Sequence, residues 1–121
     1  MDETRLGAVE ARFADIIWQN APLSSGELVK LCAQQLEWKK STTYTVLKKL
    51  CDRGIFQNQG GTVTALITRQ AFYARQSQRF VAENFDGSLP AFLAAFASGG
   101  KLSSQDLADL RRMLDEFDKE D

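Results

Sequence analysis

The sequence of 121 residues contains no histidine, two cysteines and two prolines. Without histidine, and without a CxxC spacing between Cys32 and Cys51, the usual zinc and copper sites lack ligands. The chain also has no glycine-rich phosphate loop and no Cys/His pair, which argues against an enzyme. We therefore expect no metal, no cofactor and no catalysis, and we interpret both cysteines as small buried apolar residues.

Long apolar runs are also missing from the chain. No stretch approaches the roughly 18 apolar residues of a transmembrane helix, and no signal-peptide apolar region is present. A chain of this length makes one compact domain, or a small domain with an accessory segment. These observations predict a cytosolic protein that does not insert into a membrane.

The net charge is only −1, but the charges are unevenly distributed. The stretch from Lys39 to Arg53 holds five bases and one acid, which gives a local balance of +4. The stretch from Lys101 to Asp121 holds four bases and seven acids, which gives −3. A positive segment combined with a negative tail is typical of a protein that contacts nucleic acid through one part only.

The positive segment has the pattern of an amphipathic helix. One side carries Thr43, Val46, Leu47 and Leu50 at the spacing of a buried stripe. The other side is basic and rich in hydroxyls, which suits the DNA major groove, because small hydroxyls approach base edges and lysines reach phosphates. Taken alone, such a face is more typical of a solvated helix, and it is the neighbouring residues that favour DNA binding. The candidate DNA-binding residues are Lys39, Lys40, Ser41, Thr42, Thr45, Lys48 and Lys49.

The neighbouring residues predict the other elements of a winged helix-turn-helix. A first helix is predicted by the apolar stripe Leu6, Val9, Phe13, Ile16 and Ile17. The capping-box pattern from Ser24 to Glu27 opens a second helix, and Gly54 ends the third. Residues 55–67, with a Gly-Gly turn, predict a hairpin. This order places a winged-helix DNA-binding domain in residues 1–68, with its third helix in the major groove.

The second half, residues 69–121, is predicted to contain three helices, over about 69–85, 88–97 and 103–117. The fold class is therefore mainly α with a small β-hairpin. Three such helices fold only marginally alone, so we expect them to form the dimerisation region of a homodimer. The alternative is that they pack only on their own winged-helix domain. A two-fold dimer would place two recognition helices roughly 34–36 Å apart, one DNA turn. The expected interface residues are Phe80, Phe85, Leu89, Phe92, Phe96, Leu107, Leu110 and Leu114.

Motifs along the whole chain resemble the bacterial penicillinase repressor family, whose relatives include methicillin-resistance and copper-responsive repressors. The matching motifs are Leu6–Glu10, Ile17-Trp18, Pro22–Ser24, Glu27-Leu28, Trp38, Thr42, Thr45–Leu50 and Gly54. The resemblance implies a dimeric repressor that binds double-stranded operator DNA of palindromic sequence and controls β-lactam resistance or related genes. It also implies DNA contacts by Thr42 and Thr45, and a membrane-bound β-lactam sensor protease as a partner.

Several positions depart from the family pattern. Ser41 stands where these proteins often have lysine, so Lys39 or Lys40 is expected to supply the phosphate contact. The wing is shorter and lacks the family's arginine, and its remaining candidates, which are also typical of solvated turns, are Gln57, Asn58, Gln59 and Thr62. The bond that matches the family's cleavage site is Ala95–Phe96, where the usual asparagine is absent, so a packed helix is the alternative. The cysteine motif of the copper-responsive branch is absent.

Two further functions remain open at the level of sequence. A winged helix can serve as a protein-interaction module without DNA, although the +4 segment argues against this. The six phenylalanines of the second half can line a small-molecule pocket as well as a dimer core. Retention on a heparin column tests the first alternative, and a thermal-shift screen against ligands tests the second.

Overall fold

The computed structural model describes residues 6–120. Its elements are α1 (Ala8–Asn20), β1 (Leu23–Ser24), α2 (Ser25–Leu36), α3 (Lys40–Asp52), β2 (Phe56–Gln59), β3 (Thr62–Ala65), α4 (Arg69–Phe85), α5 (Leu89–Ser98) and α6 (Ser104–Glu120). This architecture confirms the predicted fold class. Contacts divide the chain after Arg79 into two compact units. Within the described range, no helix combines the length and the apolar content needed to cross a membrane.

The core of the first unit is built from α1, α2, α3 and the sheet. Its largest fully buried side chains include Phe13, Ile17, Leu28 and Leu50. Val9 belongs to the apolar stripe that predicts α1, but it is not part of this core, because the residue is 52% exposed. Val9 lies in the first turn of α1, and the buried part of the helix begins only at the next turn.

Helix α2 begins, and helix α3 ends, where the sequence predicts. The Ser24 Oγ atom accepts a hydrogen bond from the Glu27 N–H group at 3.0 Å and so caps α2. At the end of α3, Gly54 adopts a φ of +80°. The Gly54 N–H group donates to the Cys51 carbonyl at 2.9 Å, and the Ile55 N–H group donates to the Leu50 carbonyl at 3.1 Å. These two bonds form a Schellman motif, which needs a residue that tolerates positive φ.

The sheet has three antiparallel strands in the order β1-β3-β2. The predicted hairpin is present, and Gly60 and Gly61 occupy its turn with φ values of +58° and +85°, as a type I′ turn requires. Strand β1 was not predicted, because two residues are too few to show an alternating pattern. It pairs with β3 through Leu23 and Val63. The start of α2 is therefore fixed to the wing.

The first turns of α4 pack against α1. The Trp18 indole Nε1 atom donates a hydrogen bond to the Ile67 carbonyl at 3.0 Å, just before α4 begins. Its ring also lies 5.7 Å from the Phe72 ring and 6.1 Å from the Tyr73 ring, between centroids. These contacts explain why the first compact unit extends into α4.

The second unit contains the end of α4 with α5 and α6. Phenylalanine rings pack on one another, with centroid distances of 5.6 Å between Phe85 and Phe92 and 6.0 Å between Phe80 and Phe92. No residue of α5 or α6 is buried. Large apolar side chains that remain exposed are Phe80, Leu89, Phe96, Leu107, Met113, Leu114 and Phe117. This unit therefore presents an extensive apolar surface.

Candidate nucleic-acid interface

Helix α3 is held by one face and exposed on the other. Thr43, Leu47 and Leu50 are buried and fix its rotation about its own axis. The candidate residues on the opposite face are all exposed: Lys39, Lys40, Ser41, Thr42, Thr45, Lys48 and Lys49. We call this set the α3 outer face. Because residues four and three apart lie on one side of a helix, Ser41, Thr45 and Lys48 form a line along its length.

The hydroxyl of Thr45 is already used within α3. Its Oγ1 atom donates to the Ser41 carbonyl at 2.9 Å. This bond uses the hydroxyl hydrogen, but the oxygen lone pairs of this exposed residue can still accept a hydrogen bond, and its methyl group can contact a ligand. In a major groove, Thr45 can therefore accept a hydrogen bond from a base or contact a thymine methyl group.

The lysines of the α3 outer face fall into two groups. Among the described residues, no carboxylate pairs with Lys39 or Lys40. By contrast, Lys48 Nζ lies 3.0 Å from Asp52 Oδ2, and Lys49 Nζ lies 2.7 Å from Glu10 Oε2. The Lys48–Asp52 pair is largely exposed and contributes little to stability. The two groups therefore differ in how much positive charge they offer to a phosphate.

Glu10 connects the start of α1 to α3. Its Oε1 atom accepts a hydrogen bond from the Gly7 N–H group at 3.1 Å, which forms half of a capping box at the start of α1. The hydrogen bond from Lys49 lowers the pKa of Glu10 below its usual value. Sequence reasoning assigned Lys49 to DNA alone, because nothing in the local pattern indicates a partner 39 residues earlier. The ion pair gives Lys49 a structural role as well.

The wing candidates lie on and beside the hairpin turn. Asn58, Gln59 and Thr62 are exposed, and Gln57 is half-buried. Sequence reasoning missed a contact close to them, in which the Tyr44 hydroxyl of α3 donates to Ser25 Oγ at 3.1 Å. Tyr44 lies at the border between the buried and the exposed side of α3, where periodicity assigns no role.

Metal chemistry finds no support in the described residues, which contain no group of three or more histidine, cysteine, aspartate or glutamate side chains arranged to hold an ion. Cys32 is buried as expected, whereas Cys51 is half-buried. Burial raises the pKa of both thiols, so both are held in the protonated form. Neither thiol belongs to the α3 outer face.

Comparison with known proteins decides the family. The family model described as "Penicillinase repressor" matches residues 6–116. The chain belongs to the penicillinase repressor family. The match confirms the resemblance inferred from sequence motifs, and it includes α3, the wing and the larger part of α6.

Two relatives within the penicillinase repressor family match along nearly their full length. The penicillinase repressor of Bacillus licheniformis is 22% identical over 116 residues, which cover 93% of this chain and 91% of the relative. The methicillin resistance regulatory protein MecI of Staphylococcus aureus is 20% identical over 113 residues, which cover 90% and 92%. Membership in this family of regulators makes the chain a DNA-binding transcriptional repressor.

Proposed function

We propose that the protein is a homodimeric repressor that inserts α3 of each protomer into the major groove of a palindromic operator. Residues 1–68 serve as the DNA-binding domain and residues 69–121 as the dimerisation region. The observation that carries the proposal is the α3 outer face, a hydroxyl-rich and lysine-rich surface on the third helix of a winged helix-turn-helix.

The chemistry of this face suggests a division of labour. Lys39 and Lys40, which lie at the start of α3 without carboxylate partners among the described residues, neutralise phosphates and release counterions. Ser41, Thr42 and Thr45 are short enough to let the helix approach base edges. Lys48 and Lys49 reach further phosphates once they exchange their carboxylate partners for DNA. Gln57, Asn58, Gln59 and Thr62 are the proposed wing contacts.

The proposed partner of the second unit is another copy of the same chain. Phe96 and Leu114 are 62% and 61% exposed, and Leu89 is 54% exposed. Clusters of exposed apolar side chains mark interaction sites when they form one large surface. A two-fold axis lets one surface cover its equivalent, and the same axis matches the symmetry of a palindrome. The interface includes Phe80, Phe85, Leu89, Phe92, Phe96, Leu107, Leu110 and Leu114.

The names of the relatives suggest what is controlled. One relative is named for penicillinase and the other for methicillin resistance, so the proposed targets are genes of β-lactam resistance. The proposed inducing partner is a membrane-bound β-lactam sensor protease, and the repressor acts in the cytosol. Cleavage at Ala95–Phe96, two exposed residues of α5, would cut that helix and separate its last residues and α6 from the rest of the chain.

Binding to selected DNA tests the proposal. The wild-type protein first selects a duplex from a random library, and fluorescence anisotropy then measures its affinity. Thr45→Ala is expected to weaken binding to the selected duplex and to reduce discrimination against altered bases, because base contacts contribute about 1–3 kcal/mol each. Lys39→Ala/Lys40→Ala is expected to weaken all duplexes and to lower the salt slope by about 0.9 per lost contact.

The control for this experiment is Lys101→Ala, which removes one positive charge outside the winged helix. Binding of this variant should match the wild type. If the wild type enriches no sequence, or if the α3 variants bind like Lys101→Ala, the proposed function is wrong.

A further inference from the structure

Two hydrogen bonds connect α3 to the tip of the wing. The Tyr44 hydroxyl donates to Ser25 Oγ at 3.1 Å, and the Ser25 N–H group donates to the Gly61 carbonyl at 2.8 Å. A single residue of α2 therefore lies between the recognition helix and the turn of the hairpin. We call this chain of contacts the Tyr44–Ser25–Gly61 link.

The Tyr44–Ser25–Gly61 link contacts the wing at the turn of its short hairpin. Gly61 belongs to a two-residue turn at the end of a hairpin of only four residues per strand. The third strand of the sheet is β1, which pairs with β3 at two positions, Leu23↔Val63 and Ser24↔Thr62. Short hairpins have little stability of their own. The contacts made at Ser25 therefore add to the few pairings that hold the turn relative to α3.

Tyr44 is suited to set this position. Its side chain is half-buried, and it directly precedes the exposed Thr45 of the α3 outer face. The tyrosine ring is rigid and has few rotatable bonds, so its hydroxyl fixes a distance at low entropic cost. The link thus joins the surface proposed to read bases to the surface proposed to follow the backbone.

We propose that Tyr44 is a positioning residue. Through Ser25, it holds the wing turn in the position relative to α3 that lets the wing and α3 contact the same duplex. This role rests on the proposed function, since it requires both surfaces to bind DNA. Tyr44 itself need not touch a base. Its hydroxyl acts on DNA affinity by reducing the freedom of Gly60, Gly61 and the adjoining strand ends.

Removal of the hydroxyl tests the role. Tyr44→Phe is expected to weaken binding to the selected duplex about three- to tenfold, the range for one hydrogen bond. Ser25→Ala should cause a similar loss, and the double variant should lose no more than either single variant, because both break the same link. Tyr73→Phe is the matched control, with the same atom removed from a tyrosine of α4, and should bind like the wild type.

A readout at the wing separates positioning from general stability. Gln59→Lys adds a cation beside the turn and should raise the salt slope by about 0.9 if the wing lies near a phosphate. The increase in salt slope caused by Gln59→Lys should be smaller in the Tyr44→Phe background. The increase should keep its full size in the Tyr73→Phe background.

The outcomes distinguish the two proposals. If Thr45→Ala weakens DNA binding but Tyr44→Phe binds like the wild type, or if Gln59→Lys gains equally in both backgrounds, the positioning role is wrong and the proposed function stands. If Thr45→Ala and the α3 lysine variants have no effect on DNA binding, the proposed function itself fails.

Discussion

Replacement of Glu10 by glutamine should lower stability and raise DNA affinity at the same time. Glu10 holds Lys49 at 2.7 Å, and it also accepts the Gly7 N–H group at 3.1 Å. Glutamine keeps an acceptor oxygen for Gly7 but loses the charge that attracts Lys49. The ion pair is partly screened, because the Lys49 side chain is 52% exposed and that of Glu10 is 21% exposed. The expected loss is about 0.5–1 kcal/mol of unfolding free energy.

The stability that Glu10 contributes should depend on pH in a known direction. The pKa of Glu10 is lowered in the folded protein, chiefly by the hydrogen bond from Lys49. A carboxyl group with a lowered folded pKa contributes stability above its unfolded pKa of about 4.3 and loses that contribution as pH falls through the folded value. Urea unfolding should therefore show the full difference between wild type and Glu10→Gln at neutral pH. The difference should disappear once Glu10 is protonated in both states.

The effect on DNA should run the opposite way. In Glu10→Gln, Lys49 no longer needs to leave a carboxylate in order to reach a phosphate, so affinity for the selected duplex should rise by up to about fivefold, the equivalent of the ion-pair energy. Glu116→Gln, with the same charge change in α6, is the control and should show neither effect. A stability loss that persists at low pH, or an affinity that falls together with stability, would refute this reasoning.

Two further predictions concern the interface and the turn. Leu114→Gln should shift the protein from dimer to monomer in light scattering after size exclusion, whereas Glu116→Gln should stay dimeric; a dimeric Leu114→Gln would contradict the proposed interface. Gly61→Ala should lower the unfolding free energy by about 1–2 kcal/mol, because φ is +85° there. Gly100→Ala has open space and no positive φ, and its stability should match the wild type within error.

Local patterns predicted the helices and the turn because their signals come from neighbouring residues. The capping by Ser24, the end of α3 at Gly54 and the type I′ turn each depend on the conformational preference of one or two residues. The period of 3.6 residues separates the two faces of α3 for the same reason. The α3 outer face was therefore accessible from sequence alone.

Contacts between distant residues were not accessible in this way. Glu10 and Lys49 are 39 positions apart, and Tyr44 and Ser25 are 19 apart. Their pairing depends on how the helices cross, which no local period encodes. The start of α4 was predictable, whereas the packing of its first turns on Trp18 was not. Both contacts bear on the proposed site, because the ion pair occupies Lys49 and the hydrogen bond occupies the Tyr44 hydroxyl.

The distribution of free and paired lysines gives a physical reason why the proposed repressor would act as a dimer. Each α3 outer face offers Lys39 and Lys40 without carboxylate partners among the described residues, while Lys48 and Lys49 must first give up Asp52 and Glu10. A single protomer therefore neutralises few phosphates, and its binding at physiological salt should be weak. A second, linked copy binds at a high effective concentration and doubles the number of phosphate contacts. Loss of the link between protomers should then abolish repression even though every DNA-facing side chain remains in place.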